Sequence, residues 1–272
     1  INPDQAFVSM ISSVLGYSQG NRVIEVNNEM IVKLSEIAEL EYLAVLRESV
    51  KPIVVTLLEK DSDLKSVPEA YLKLHLLSHR LVYPNEVNLE GLFGVLPNVA
   101  WTDIGAVDPE ELDLVQLNAR INGRLVEVSS VDKFPKMTNY EVPSGVRIAH
   151  SARVRLGAYL GEGTTVMHEG FVNFNAGAMG PNMIEGRISQ GVTIGSGTDI
   201  GGSASTAGCL SGGGDTLITI GQECLISANA GTGIPLGDRC TIEAGLYITP
   251  GTLVQVMAVS YTHLTLPTKR IV

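Results

Sequence analysis

A chain of 272 residues, 44% hydrophobic and 18% charged, is long enough for two domains, each burying its own core. Its formal net charge of −10 argues against a nucleic-acid or anionic-membrane surface, since no local basic patch offsets it. No apolar run approaches the ~18 residues a membrane span needs, and no charged-then-apolar export segment opens the chain.

The chain opens on Ile1 without a methionine, which leaves room for a preceding segment. Cys209, Cys224 and Cys240 make an odd count without CxxC spacing, so they read as small buried fillers in a reducing cytoplasm rather than as a disulfide framework or a zinc site.

Residues 1–105 read as a mixed α/β domain. The β-branched run at 53–58 is of strand type. After it, Ser66 and Pro68 start a helix that carries Tyr71, Leu74, Leu77 and Leu81 on one stripe and stops at Pro84. His75 and His79 lie four apart on that helix. Without a third ligand nearby they read as polar-face histidines. Residues 106–141 read as a linker.

From Val142 the period becomes six: Val142, Ile148, Val154, Leu160, Val166 and Val172 recur at six-residue intervals. Aliphatic residues at that spacing, with small and polar residues between, predict a parallel β-helix over 142–256, three hexads to a coil, with the aliphatics pointing inward. The phase resumes at Ile188, Ile194 and Ile200, where Gly195 and Gly201 mark corners. It breaks at a glycine-rich excursion over 208–215, returns at Ile220 and Ile226, and shifts again to Leu236, Ile242, Ile248 and Val254. Excursions of this kind are where solenoids keep specificity, because coils supply rigidity and loops supply variation. From about Val259 the sequence looks like a translated sequencing adapter. Residues 257–272 are therefore expected to be a non-native tail standing where a natural C-terminus has been lost.

Two kinds of chemistry suit such a solenoid. His150 and His168 are 18 residues apart, one coil, as a metal-binding pair would be. The repeat region has no third histidine to complete a catalytic zinc site, and a polar pair on the outer face is the simpler reading. Acyl transfer instead needs a base, a donor for the developing oxyanion and a narrow groove. The most acid-base-like feature is Glu185 in Glu185-Gly186-Arg187-Ile188-Ser189. Gly186 permits close approach and Arg187 offers a planar fork for a carboxylate, although a Glu and an Arg two apart are commonly a surface pair.

Longer strings carry a resemblance. The stretch from Met167-His168-Glu169-Gly170-Phe171 to Gly177, the Glu185 string, Leu210-Ser211-Gly212-Gly213-Gly214 and Glu243-Ala244-Gly245-Leu246-Tyr247 resemble the actinobacterial-type tetrahydrodipicolinate N-succinyltransferases. So do residues 74–81 and 131–137. The resemblance runs from about 65 to 256 and is loose over 1–60. It implies a left-handed parallel β-helix and a homotrimer with active sites between subunits. It also implies succinyl-CoA as acyl donor and a small dicarboxylate as acceptor, on the way to diaminopimelate and lysine.

The same resemblance implies that Glu185 is catalytic, as base or as carrier of an acyl anhydride, and that a backbone group of Gly208 polarises the thioester. It places Arg187, Gly202, Ser205, Ala228, Glu243, Ala244 and Gly251 along the coenzyme groove. A magnesium ion on the threefold axis is implied through Glu169, although the partner aspartate position holds Ala152. Arg187 stands open between the coenzyme and the acceptor. Acetyl-CoA as donor, or a non-catalytic trimeric solenoid, are the competing readings. Residues of the Glu-Gly-Arg string and the glycine-rich excursion together are more than a scaffold needs.

Overall fold

The computed structural model describes residues 5–208 and 217–255. Cys209, most of the glycine-rich excursion and the adapter-like tail lie outside the described residues.

The chain divides into two compact units, 1–72 with 88–95, and 73–87 with 96–272. In the first, helix α1 (Gln5–Leu15), strand β1 (Arg22–Glu25), helix α2 (Asn28–Ile37) and strand β2 (Val54–Leu57) surround a small core. The Asn27 side chain caps α2 by accepting from the Met30 amide at 2.9 Å. Strand β2 falls inside the run predicted from sequence and pairs antiparallel with β1. Leu15, Val26 and Ile31 are buried there, with Ile24, Val55 and Leu57 packed on them.

Helix α3 (Val67–Ser78) follows, and its last residues open the second unit. It ends six residues before Pro84, not at it. Arg80 takes a left-handed φ of 60°, the Arg80 amide donates to the Leu77 carbonyl at 3.0 Å and the Leu81 amide to Leu76 at 2.9 Å. That pattern is a Schellman stop. Leu81 is consequently 49% exposed rather than part of the buried stripe, while Leu74 and Leu77 are fully buried. A short helix α4 (Leu92–Val95) belongs to the first unit.

The second unit continues with strands β3 (Val99–Thr102) and β4 (Gly105–Val107), helix α5 (Leu112–Ile121) and strand β5 (Val128–Asp132). The order β4-β3-β5 makes a small antiparallel sheet, so the stretch expected to be a linker carries regular structure.

The remainder is a parallel β-helix with three faces. Two-residue strands stack into sheets of four, six and five strands, with first members at 159–160, 147–148 and 171–172. The pairing is in register. Ile184 lies between Val166 and Ile200, and Ile200 below Ile226. Inward aliphatics from Val154 to Ile248 form one continuous core, and most of them, including Leu160, Val172, Ile188 and Ile194, are wholly buried. The two ends of the predicted series behave differently. Val142 is 65% and Val254 48% exposed, because each falls beyond the stacked strands.

Coils are not uniformly 18 residues. Leu160, Ala178, Ile194, Ile220 and Leu236 stack on one face at steps of 18, 16, 26 and 16. The long step holds the excursion. The first short step arises because Ile184 and Ile188, inward residues of consecutive faces, are four apart instead of six, which leaves only Glu185 and Gly186 to turn the corner.

Candidate active site

The contracted corner fixes Glu185. Its amide donates to the Ile200 carbonyl at 2.8 Å and the Gly186 amide to the same oxygen at 3.1 Å. A Cβ on Gly186 would meet the Ala204 carbonyl oxygen at 2.4 Å and Ile200 Cγ2 at 2.7 Å. Glycine is thus required first by the next coil, and only then by whatever approaches from outside. The Glu185 side chain is half-buried, with Oε2 3.6 Å from where a Gly202 side chain would begin.

Register brings residues scattered in sequence into one column. Ile184, Ile200, Ile226 and Ile242 stack on successive coils, so the corner residues that follow each of them stack too. Gly202, Ala228 and Ala244 stand at one level of that corner beside Glu185, and Glu243 stands one residue earlier. From the coil of Glu185 to that of Ala244 is three steps at about 4.8 Å, so the track leading to the carboxylate runs roughly 14 Å. Ala228, Glu243 and Ala244 are exposed and Gly202 half-exposed, so the track is open along its length. Gly251 lies past the last stacked strand, exposed, with nothing within 4 Å of its missing side chain.

A second ladder runs up the adjoining face. Arg187 is in register with Phe171 below and Ser205 above, Ser205 with Gly231, and Gly231 with Tyr247. Arg187 Nε and Nη2 donate to Ser205 Oγ at 3.1 and 2.9 Å, which holds one edge of the guanidinium fork. Gly231 makes room for Tyr247, whose Cε2 would lie 2.2 Å from a Cβ there. Two depressions flank Arg187. One, about 420 Å³, is lined by Arg187, Ser189, Ser205, Thr206, Tyr247 and Thr249 among others. The other, about 480 Å³, is lined by Arg153, Glu169, Phe171, Gly186, Arg187, Ser203 and Ala204.

Gly208 is buried against the Gln190 carbonyl and Ser189. Glu185 and Gly208 therefore mark opposite ends of one solenoid face, roughly 13 Å apart along an extended strand. One chain does not bring them together.

Glu169, the expected cation ligand, has a side chain 75% exposed, and the guanidinium of Arg153 stands 3.4 Å from its carboxylate. Ala152 offers no donor. Among the described residues of one chain no three His, Cys, Asp or Glu side chains come together to hold an ion, and a cation on a threefold axis would draw on Glu169 from three copies. His150 and His168 are exposed, in stacked positions. His75 and His79 face each other, Nδ1 to Nε2 at 3.4 Å, and His79 Nδ1 is 3.3 Å from Glu141. Cys224 is buried and Cys240 half-buried, the Cys240 amide donating to Cys224 Sγ at 3.3 Å.

Sequence reasoning did not single out Arg153. Its signal was present: Arg153, Phe171 and Arg187 each directly precede an inward aliphatic of the same face.

Comparison with known proteins agrees with this architecture. The family description "Tetrahydrodipicolinate N-succinyltransferase N-terminal" matches residues 7–94, its middle counterpart 96–136, and "Hexapeptide repeat of succinyl-transferase" 217–250. The 2,3,4,5-tetrahydropyridine-2,6-dicarboxylate N-succinyltransferases of Pseudomonas paraeruginosa and Pseudomonas putida are each 60% identical over 263 residues, covering 94% of this chain and 76% of theirs. That of Vibrio cholerae is 49% identical over 262 residues with the same coverage. A solved Campylobacter jejuni structure, described as a 2,3,4,5-tetrahydropyridine-2-carboxylate N-succinyltransferase, superposes with a TM-score of 0.82 at 33% identity, covering 92% of this chain and 71% of that one. With a column of small residues beside an acidic corner, and relatives this similar over nearly its whole length, the chain belongs to the tetrahydrodipicolinate N-succinyltransferase family.

Proposed function

We propose that this chain transfers the succinyl group of succinyl-CoA to the nitrogen of 2,3,4,5-tetrahydropyridine-2,6-dicarboxylate, a step toward diaminopimelate and lysine, in the reducing cytoplasm. The observation that carries the reading is the small-residue track ending at Glu185. Its small side chains leave room for a pantetheine arm to lie along it, and it leads to a carboxylate fixed by the contracted corner.

The chemistry is assigned as follows. Water adds across the ring C=N bond and frees the nitrogen as an amine. The amine lone pair attacks the thioester carbonyl, an N–C bond forms, the C–S bond breaks, and sulfur leaves as the coenzyme A thiol. Glu185 accepts the amine proton, and positioned acid-base groups of this kind contribute typically 10²–10⁴-fold. A Gly208 backbone group polarises the thioester carbonyl. Arg187, Gly202, Ser205, Ala228, Glu243, Ala244 and Gly251 line the coenzyme path. Because Glu185 and Gly208 stand at opposite ends of one face, the complete site is assigned to the junction between neighbouring subunits of a homotrimer.

The test is thiol release with tetrahydrodipicolinate, measured on this chain and on a version extended to the length of its relatives. Succinyl-CoA is expected to support turnover and acetyl-CoA to be poor. Glu185→Gln is expected to lower turnover at least ~100-fold with circular dichroism unchanged, and near-normal turnover would remove Glu185 from its role.

A further inference from the structure

Two imidazoles stand at the end of helix α3, and neither the small-residue track nor the Arg187 ladder uses them. The His79 amide donates to the His75 carbonyl at 2.8 Å, so the last turn is still helical there and residues four apart share a face. The two rings lie 5.5 Å apart, centroid to centroid, and are inclined by 23°. His75 Nδ1 and His79 Nε2 are 3.4 Å apart. That is long for a shared proton, against the about 2.7–3.2 Å of a nitrogen-donated hydrogen bond. Two imidazoles on one tetrahedral ion, each about 2.0–2.1 Å from it, stand about 3.3 Å apart.

We propose that His75 Nδ1 and His79 Nε2 chelate one divalent transition-metal ion of the zinc class, with Glu141 fixing the tautomer of His79 from behind. Glu141 Oε2 is 3.3 Å from His79 Nδ1, the ring nitrogen that does not face His75. A proton held on Nδ1 by that carboxylate leaves the Nε2 lone pair for the ion. A carboxylate behind a metal-binding imidazole fixes its orientation and raises its basicity. Glu141 thus engages the far nitrogen and not the ion, so the protein supplies two ligands and water the rest.

The core places the carboxylate. Met137 is wholly buried, and the amides of Tyr140 and Glu141 both donate to its carbonyl, at 2.9 and 2.8 Å. The Tyr140 ring meets His75 edge-on with centroids 5.7 Å apart. His75 is half-buried, and burial favours its neutral form, the form that binds metal. The side chains of His79 and Glu141 are 42% and 23% exposed, which lets water reach the ion. Imidazole suits zinc, copper and nickel, whereas magnesium prefers oxygen ligands, and copper binds more tightly than zinc in the general order. The proposal stands apart from the acyltransferase reading.

The test is calorimetric titration of Zn²⁺ into the chain at neutral pH, with metal first stripped by a chelator and no histidine tag present. The native chain is expected to bind an ion that Cu²⁺ displaces and Mg²⁺ does not. His79→Gln, at an exposed position that spares the fold, is expected to weaken binding at least ~tenfold, and His75→Gln likewise. Glu141→Ala is expected to weaken it about tenfold, the lower end of what losing such a partner costs. His150→Gln is expected to stay within twofold of the native chain, which separates this pair from the stacked His150 and His168. Zinc is also expected to raise the thermal midpoint of the native chain and not that of His79→Gln. No zinc binding by the native chain, or native affinity in His75→Gln or His79→Gln, overturns the site. Native affinity in Glu141→Ala overturns the part given to the carboxylate.

Discussion

Arg80 holds a backbone conformation that normally selects glycine, and its side chain explains why. Nε donates to the Leu160 carbonyl at 2.6 Å and Nη2 to Ser144 at 2.7 Å, tying the stop of α3 to the solenoid. Arg80→Ala loses both bonds and keeps the left-handed strain, whereas Arg80→Gly loses the bonds but relieves about 1 kcal/mol of strain. Charge-assisted bonds contribute about 1.5–3 kcal/mol each. Both variants are therefore expected to be less stable than the native chain in urea denaturation, with the alanine form the weaker. His75 supplies a second residue-scale expectation. Burial, and then the neighbouring His79, push its pKa below the usual histidine value, against a smaller upward pull from Glu141. The unfolded chain then takes up more protons as pH falls through about 6.5, so stability present above that pH is lost on acidification. The thermal midpoint should drop between pH 7 and 5, and His75→Gln should flatten the drop. Neither feature was legible in the sequence. Arg80 does not look like a helix stop, and what surrounds His75 and His79 comes from Tyr140 and Glu141, some sixty residues away.

At the scale of elements, the hexad period announced the solenoid because most inward positions are aliphatic, Thr206 and Thr232 being buried exceptions on one face, while the corners carry small and polar residues. Val154 through Val172 and Ile188 through Ile200 could be placed from spacing alone. The ends, Val142 and Val254, could not, since a six-residue period does not say where stacking stops. The columns were equally hidden. Gly202, Ala228 and Ala244 are separated by 26 and 16 residues, and only strand register reveals that they share a corner. Coil cores are expected to respond as close-packed interiors do. Ile194→Ala, at a wholly buried position, should cost about 2–5 kcal/mol, read as a shift in the denaturation midpoint. A different element-scale change should spare stability and remove function. Inserting two residues between Glu185 and Gly186 restores six-residue spacing between Ile184 and Ile188, relaxes the corner and swings the carboxylate away. Loss of thiol release with a retained β-rich circular dichroism spectrum is the expected result.

For the whole molecule, the solenoid couples mainly neighbour to neighbour, and its axis is the one long-range ruler it possesses. The 26-residue coil shows that a long detour leaves the stacking above and below intact, since Ile194 still pairs with Ile220 and Ile200 with Ile226. A shared site predicts that turnover depends on association. Dilution that lowers the mass, followed by light scattering, should lower specific activity in parallel, and full activity in a monomer would confine the site to one chain.

The shortened corner has an evolutionary consequence. Among the described residues, no side-chain hydrogen bond or ion pair holds Glu185 where it is. Its address is a residue count, kept by the main-chain bonds that lock its coil to the next. Codon changes on the outer faces can accumulate without disturbing that address, while the gain or loss of one codon within the same coil would misplace the carboxylate. Lineages of this chain should therefore drift freely in letters and hardly at all in length around residue 185.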